Sequence, residues 1–305
     1  MHSTQRLVAG SAILLAAMLA ASASFAAGIQ ALNVPADASS PAMSGAVWYP
    51  CALPPTQLRL GPFLVSAARD CPLAGTKLPL IVMSHGRAGT FLGHRDTAQA
   101  LADAGFIVAA ISHPGDNAQD SSSSNEVSAF IQRPADIKRL VDHLLGAWPS
   151  ASVVAADRIG FFGFSRGGYT GLVLAGAVPR LREGQPTPVA HDPRIKAAVI
   201  ADPLTLFFAP DAFGAVGIPI QLWRSEQGGD GVTPEGVAAV AVGLPAKPDL
   251  HTVAAAGHFA FLPPCPEALR QSAREICTDA PGFDRQAFHD AFNAQVVEFF
   301  RRTLH

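Results

Sequence analysis

The residues from Arg158 to Tyr169 constrain this chain more than any others. They read Arg158-Ile159-Gly160-Phe161-Phe162-Gly163-Phe164-Ser165-Arg166-Gly167-Gly168-Tyr169. A short apolar run bounded by glycine predicts a buried strand, and the residues after Ser165 read as a helix. Gly-x-Ser-x-Gly at a strand-to-helix turn is the nucleophile-elbow pattern, in which the sharp turn strains the serine and exposes its hydroxyl. Glycine at 163 and 167 has no side chain to collide across such a turn. Gly168 and Gly171 give the following helix a small face that can lie close to a sheet. A glycine-rich strand and helix with a chance serine is the competing reading, but it leaves the placement of both flanking elements unexplained.

The rest of the chain supplies a setting for that turn. Ala46–Pro50 and Gln57–Ala67 predict two early strands. From Leu78 onward apolar strands alternate with amphipathic helices. Strands are predicted at Leu78–Ser84, Phe106–Ser112, Ile159–Phe164, Ile195–Ala201, Ile218–Arg224 and Leu250–Ala255. Helices are predicted at Arg95–Ala104, at Ala135–Leu145 with Pro134 at its start, and at Asp284–Arg302. This alternation predicts an α/β fold: a mostly parallel central sheet with helices on both faces. Nearly all-apolar strands fit a sheet buried on both sides. The loops at Asp120–Ser124 and Arg180–Pro193 are too short for a large cap domain, so the site should be open.

The chain has 305 residues, 49% of them hydrophobic, enough for a large core in one domain. Only 15% are charged and the net charge is -2, so neither a nucleic-acid-binding face nor a charged disordered tail is expected. The N-terminus reads as a signal peptide, residues 1–26: Arg6 is its positive region, Leu7–Ala20 its apolar stretch, and Ala21–Ala27 its small-residue cleavage region. The apolar stretch is shorter than the roughly 20 residues needed to span a bilayer, so no stable membrane insertion is expected after cleavage. A single catalytic domain over 27–305 should follow, exported to a periplasmic or secreted location, with Gly28–Ser44 as an extended surface lead.

Export makes the four cysteines readable as disulfides. Of three possible pairings, Cys51–Cys71 and Cys265–Cys277 are favoured, because each closes a short loop outside the parallel sheet. Metal binding is the competing use, but no Cys-x-x-Cys or His-x-x-x-His spacing supports it. No metal or organic cofactor is expected.

A serine hydroxyl needs a base, and the base needs an orienting acid. In a sheet of this kind the chain order is serine, acid, histidine. His258, in Ala256-Gly257-His258-Phe259, follows the last predicted strand and is the expected base. His85 and His113 precede the serine. His251 lies within a strand, and the remaining histidines lie in the leader, on helices, on loops or at the terminus. Three carboxylates compete for the acid. Asp230, in Ser225–Pro234 after the strand Ile218–Arg224, is favoured over Asp202, which ends the strand before it and with Pro203 has a bland role as a turn opener. Glu226 is a third option. Two backbone N–H groups must face the developing oxyanion. Arg166, following the serine, supplies one, and Arg87, in Ser84-His85-Gly86-Arg87-Ala88-Gly89, the other. The Arg87 and Arg166 side chains would bias the rim toward anionic or carbonyl-rich substrates. Asn125–Gln132, with Phe130 and Ile131, is a candidate wall of the acyl pocket, as are Phe91, Trp223 and Phe259, although aromatic residues are more often core.

With these residues in place the chain resembles the α/β-hydrolase superfamily. More narrowly it resembles the bacterial predicted dienelactone hydrolases, related to platelet-activating-factor acetylhydrolases. The resemblance rests on Val47-Trp48-Tyr49-Pro50, Pro79–Gly86, Ser112-His113-Pro114-Gly115-Asp116-Asn117, Arg133-Pro134-Ala135-Asp136-Ile137, Arg158–Gly168, Gly257-His258-Phe259 and the Cys265 region, nearly all of the expected mature chain. It implies an α/β-hydrolase fold. Dienelactone hydrolases use a cysteine nucleophile, whereas this chain has Ser165, which points away from dienelactone as substrate. The acetylhydrolases carry the acid after the strand that follows the elbow, which favours Asp202. Most other relatives carry it in a Gly-Glu-x-Asp-x-Val-x-Pro-like segment, here Ser225–Pro234 with about two extra residues, which favours Asp230.

The expectation is an exported serine hydrolase acting on a small-molecule carboxylic ester through an acyl-enzyme. The alternatives are a peptidase or amidase with the same residues, and a binding protein of the same fold without turnover.

Overall fold

The computed structural model describes residues 26–38, 40–181, 187 and 191–305. Ten strands pair among them: β1 Ala26–Val34, β2 Met43–Cys51, β3 Thr56–Leu60, β4 Phe63–Arg69, β5 Leu78–Ser84, β6 Ile107–Ile111, β7 Val154–Phe164, β8 Ile195–Ala201, β9 Ile220–Ser225 and β10 Asp249–Val253. The helices are α1 Arg95–Asp103, α2 Ser128–Leu145, α3 Arg166–Leu174, α4 Pro234–Gly243, α5 Glu267–Arg270, α6 Arg274–Cys277 and α7 Arg285–Thr303.

The sheet runs β10-β9-β8-β7-β5-β6-β2-β1-β4-β3. From β10 to β6 every neighbouring pair is parallel. At β2 the direction reverses, and β2 and β1 add an antiparallel pair to the edge of that block. Burial on both faces explains why the central strands β5, β6 and β8 are almost wholly apolar. Leu80 and Val82 face a core built with Ile137, Leu140 and Val141 of α2, Leu172 of α3 and Val237 of α4. Ile81 and Met83, one step out of phase, face the opposite core with Leu101 of α1 and Phe292, Phe299 and Phe300 of α7. Burying each of those phenylalanines contributes about 1.5–3 kcal/mol.

Parallel strands end at one edge of the sheet, and every loop that carries chemistry leaves from that edge. Arg87 follows β5, Asp116 follows β6, Ser165 follows β7, Asp202 follows β8, Asp230 follows β9 and His258 follows β10.

The structure departs from the sequence reading in several places. Ala26–Val34 is a strand rather than a surface lead: it pairs along its length with β2 and buries Ile29, Leu32 and Val34. The expected leader lies outside the described residues except Ala26, which pairs with Cys51. The single strand expected at Gln57–Ala67 is a hairpin, turned at Gly61, whose φ of +59° suits glycine. α2 begins six residues before Pro134, so the proline sits inside the helix and its missing N–H forfeits one helical hydrogen bond. The buried side chains of Phe130 and Arg133 hold that first segment in place. The sulfurs of Cys51 and Cys71 are bonded, as are those of Cys265 and Cys277. No helix among the described residues is long and apolar enough to cross a membrane.

Candidate active site

Ser165 joins β7 to α3 at φ 57°, ψ -117°, a conformation L residues rarely adopt. The turn is held by its own backbone. Ser165 N donates to Ala201 O at 3.0 Å, and Ser165 O accepts from Tyr169 N and Leu204 N, both at 3.0 Å. A Cβ at position 163 would fall on the Gly167 carbonyl, and one at 167 on the Ser84 carbonyl. Glycine is therefore required at both places by close approach of backbone to backbone.

His258 begins a 3₁₀ turn after β10. Its ring stacks on Phe164, the residue before the serine, at 4.6 Å between centroids. Its Nδ1 lies 2.7 Å from Asp202 Oδ2. A carboxylate at that distance places the proton on Nδ1 and leaves Nε2 with its lone pair. Among the described residues no protein atom hydrogen-bonds Nε2. Ser165 and His258 line one cleft of about 480 Å³.

The structure puts Asp202, not Asp230, against His258. Asp202 is fully buried, and accepts from Ser225 N and Ser225 Oγ, both at 2.8 Å, besides the imidazole. Asp230 is partly exposed and pairs with Arg87 Nη2 at 3.0 Å. The reason lies in the path of Ser225–Pro234. Gly228, Gly229, Asp230 and Gly231 all have positive φ, and the turn they make carries Asp230 out to the rim. The loop supports the histidine by its backbone instead, His258 N donating to Gly228 O at 2.8 Å. Glu226 is occupied elsewhere, accepting from Ala255 N at 2.6 Å.

The expected oxyanion residues flank the serine. Arg166 is the first residue of α3, where a backbone N–H has no partner within the helix. Arg87 lies in the turn after β5 and lines the cleft with Ser165. A Cβ on Gly86 would lie 3.3 Å from Ser165 Cβ, so this turn runs hard against the elbow.

A buried carboxylate that the sequence reading left without a role ties these two turns together. Asp116 Oδ1 accepts from Ala88 N at 3.0 Å and Ser124 Oγ at 2.7 Å. Its Oδ2 accepts from Arg133 Nε at 2.8 Å and Arg166 Nη1 at 2.7 Å. Arg133 also donates to the carbonyls of His85 and Gly86. Burial would raise the Asp116 pKa, but Arg133, the Ser124 hydroxyl, the Ala88 N–H and Arg166 outweigh it and hold the carboxyl far below its usual range. Burial lowers Arg133 to about 10, which leaves it charged at neutral pH. The Arg166 side chain is consequently locked inward on Asp116 and over the Phe130 ring, so of the two arginines expected to charge the rim only Arg87 is free of burial.

A second Ser–His–Asp chain lies beneath. Ser84 Oγ is 2.9 Å from His113 Nε2, and His113 Nδ1 is 2.9 Å from Asp136 Oδ2. All three residues are buried and none lines the cleft. Burial pushes His113 well below its usual pKa, so the ring is neutral and braces the end of β5 under the Gly86 turn. His94 also lines the cleft, and among the described residues neither of its ring nitrogens has a hydrogen-bond partner. Burial lowers its pKa to about 3.

No family model matches the sequence, and no curated protein matches it. Among solved structures it is similar to a ferulic acid esterase from Streptomyces cinnamoneus, with 20% identity and a TM-score of 0.70 over 92% of this chain and 90% of that one. The likeness is one of fold, and with the parallel block, the strand-to-helix elbow and the loops gathered at one sheet edge it makes this an α/β-hydrolase fold.

Proposed function

We propose that this protein is a serine hydrolase that cleaves carboxylic esters. The observation that carries the proposal is the cleft shared by Ser165 and a His258 whose Nδ1 is bonded to buried Asp202 and whose Nε2 has no partner among the described residues. Ser165 Oγ attacks the ester carbonyl while His258 Nε2 takes its proton. Asp202 holds the tautomer and stabilises the imidazolium that forms. The Arg87 and Arg166 N–H groups stabilise the oxyanion. Collapse expels the alcohol, which takes the proton back from Nε2. Water, deprotonated by His258, then releases the acid and restores the hydroxyl.

The fold neighbour is a ferulic acid esterase, so ferulate esters join simple alkanoate esters as first substrates to try. The leader expected from the sequence and the two disulfides support an exported enzyme. The test is hydrolysis of p-nitrophenyl esters beside the matching anilides, with Ser165→Ala as blank. Ester turnover that vanishes in the variant is expected. Faster anilide turnover would make it an amidase, and no turnover of either a binding protein.

A further inference from the structure

The cleft over Ser165 is two clefts. One holds His258, Phe259, Leu262 and Ile276. The other, of about 400 Å³, holds Phe130, Leu204, Leu206 and Phe207. Four residues belong to both: Ser165 between them, and Arg87, Asn125 and Asp230. Of those last three, Arg87 bonds to both of the others. Arg87 Nη2 donates to Asp230 at 3.0 Å and Nη1 to Asn125 Oδ1 at 3.3 Å. A guanidinium bridge thus spans from the loop after β9 to the loop before α2 and divides the space above the nucleophile.

We propose that the chamber walled by Phe130, Leu204, Leu206 and Phe207 receives an apolar acyl group, that the chamber containing His258 receives the alcohol, and that the Arg87–Asp230 bridge is the partition between them. The proposal rests on the ester-hydrolase reading and deepens it. The assignment of chambers follows from where a proton must go. The leaving oxygen departs as an alcohol only if His258 Nε2 reaches it, so the alcohol lies on the histidine's side of Ser165. The acyl group, on the carbonyl's other substituent, points into the chamber that has no histidine.

The acyl chamber's character follows from its walls. Phe130 and Phe207 meet edge to face at 4.8 Å, and Phe130 packs the same way on Tyr169 at 5.1 Å. Rigid rings and two leucines make a surface that favours burying hydrocarbon, and its volume is in the range that encloses a ring or a short chain. The buried guanidinium on its wall, Arg166, is turned onto Asp116, a carboxylate it shares with Arg133.

Two ester series separate the chambers. The acyl series is p-nitrophenyl acetate, butyrate and benzoate. The alcohol series is methyl, butyl and benzyl acetate, followed by acid release. Leu206→Trp narrows the first chamber at its exposed rim. It should cut the benzoate-to-acetate ratio of kcat/KM by about tenfold, the usual cost of steric exclusion from an apolar pocket, while the benzyl-to-methyl ratio stays the same. Phe207→Ala, which widens that chamber, should raise the benzoate-to-acetate ratio. Ile276→Trp, in the other chamber, should lower the benzyl-to-methyl ratio and leave the acyl ratio alone. The reverse pattern, or acyl ratios unmoved by both Leu206→Trp and Phe207→Ala, overturns the assignment. Failure of the unaltered enzyme to hydrolyse any ester overturns the underlying function instead.

Discussion

Asp202 Oδ2 lies 2.7 Å from His258 Nδ1, across 56 residues of chain, and both groups are buried. Asp230, in a segment that resembles the acid-bearing loop of many α/β-hydrolases, spends its carboxylate on Arg87 at 3.0 Å. Under the proposed mechanism the two aspartates therefore separate into one that orients the base and one that lines the cleft.

Replacing each tests that separation. Asp202→Asn keeps the shape but removes the charge and the tautomer control, so kcat should fall by about 10³- to 10⁴-fold, as expected for the acid of a serine triad. Asp230→Asn breaks only a partly exposed ion pair, a contact worth about 0–1 kcal/mol, so kcat on a small ester should change by less than about tenfold. Steady-state kinetics on p-nitrophenyl acetate decide between them. A larger loss at Asp230 would return the orienting role to that residue.

Asp116 should matter to stability more than any other carboxylate outside the proposed triad. Asp116→Ala leaves Arg133 and Arg166 buried without their shared counter-charge, which typically costs about 3–5 kcal/mol. Urea unfolding should show a loss of that order. The Gly86 turn, no longer held through Ala88 N and Arg133, should also loosen, with protection lost from amide exchange there. A loss under about 1 kcal/mol would mean that the two arginines find other partners.

Asp136 supplies a pH dependence of opposite sign to that of most carboxylates. Burial raises its pKa from 3.8 to about 6, against the lowering effects of Gln132, Arg139 and Arg133. Between those values the folded protein holds a proton that the unfolded chain has released. This contribution is fully present below about pH 4 and is lost as pH rises through about 6, amounting to roughly 3 kcal/mol. Asp136→Asn removes it. The stability difference between wild type and variant should therefore shift against the wild type from pH 4 to pH 7. Parallel curves from urea titrations at the two pH values would show that Asp136 carries no such proton.

The parts of this fold that are legible in the sequence are those where local pattern decides. β5, β6, β8 and the second half of β7 are short apolar runs, and α7 shows its phenylalanines on one stripe. The elbow is legible because a serine between glycines follows directly from the steric demand of the turn. β1 was hidden by its small residues and by the apolar leader beside it. α4, Pro234–Gly243, is mostly valine, alanine and glycine and has no polar face to give it away. The acid was ambiguous because its position depends on the route of the glycine-rich loop at 228–231, which backbone conformation sets and side-chain pattern does not. The Asp116 and Asp136 networks reach residues as far as 50 positions apart, and no local signal announces contacts of that length.

Among the described residues Ser165 and Ser84 each sit near a histidine and an aspartate, and of these two it is Ser165 that lines the cleft. The direct test is treatment of the intact protein with a fluorophosphonate, followed by peptide mass mapping, in wild type, Ser165→Ala and Ser84→Ala. One adduct, on Ser165, present in wild type and Ser84→Ala and absent from Ser165→Ala, is the predicted result. An adduct on Ser84, or none in wild type, would contradict the account.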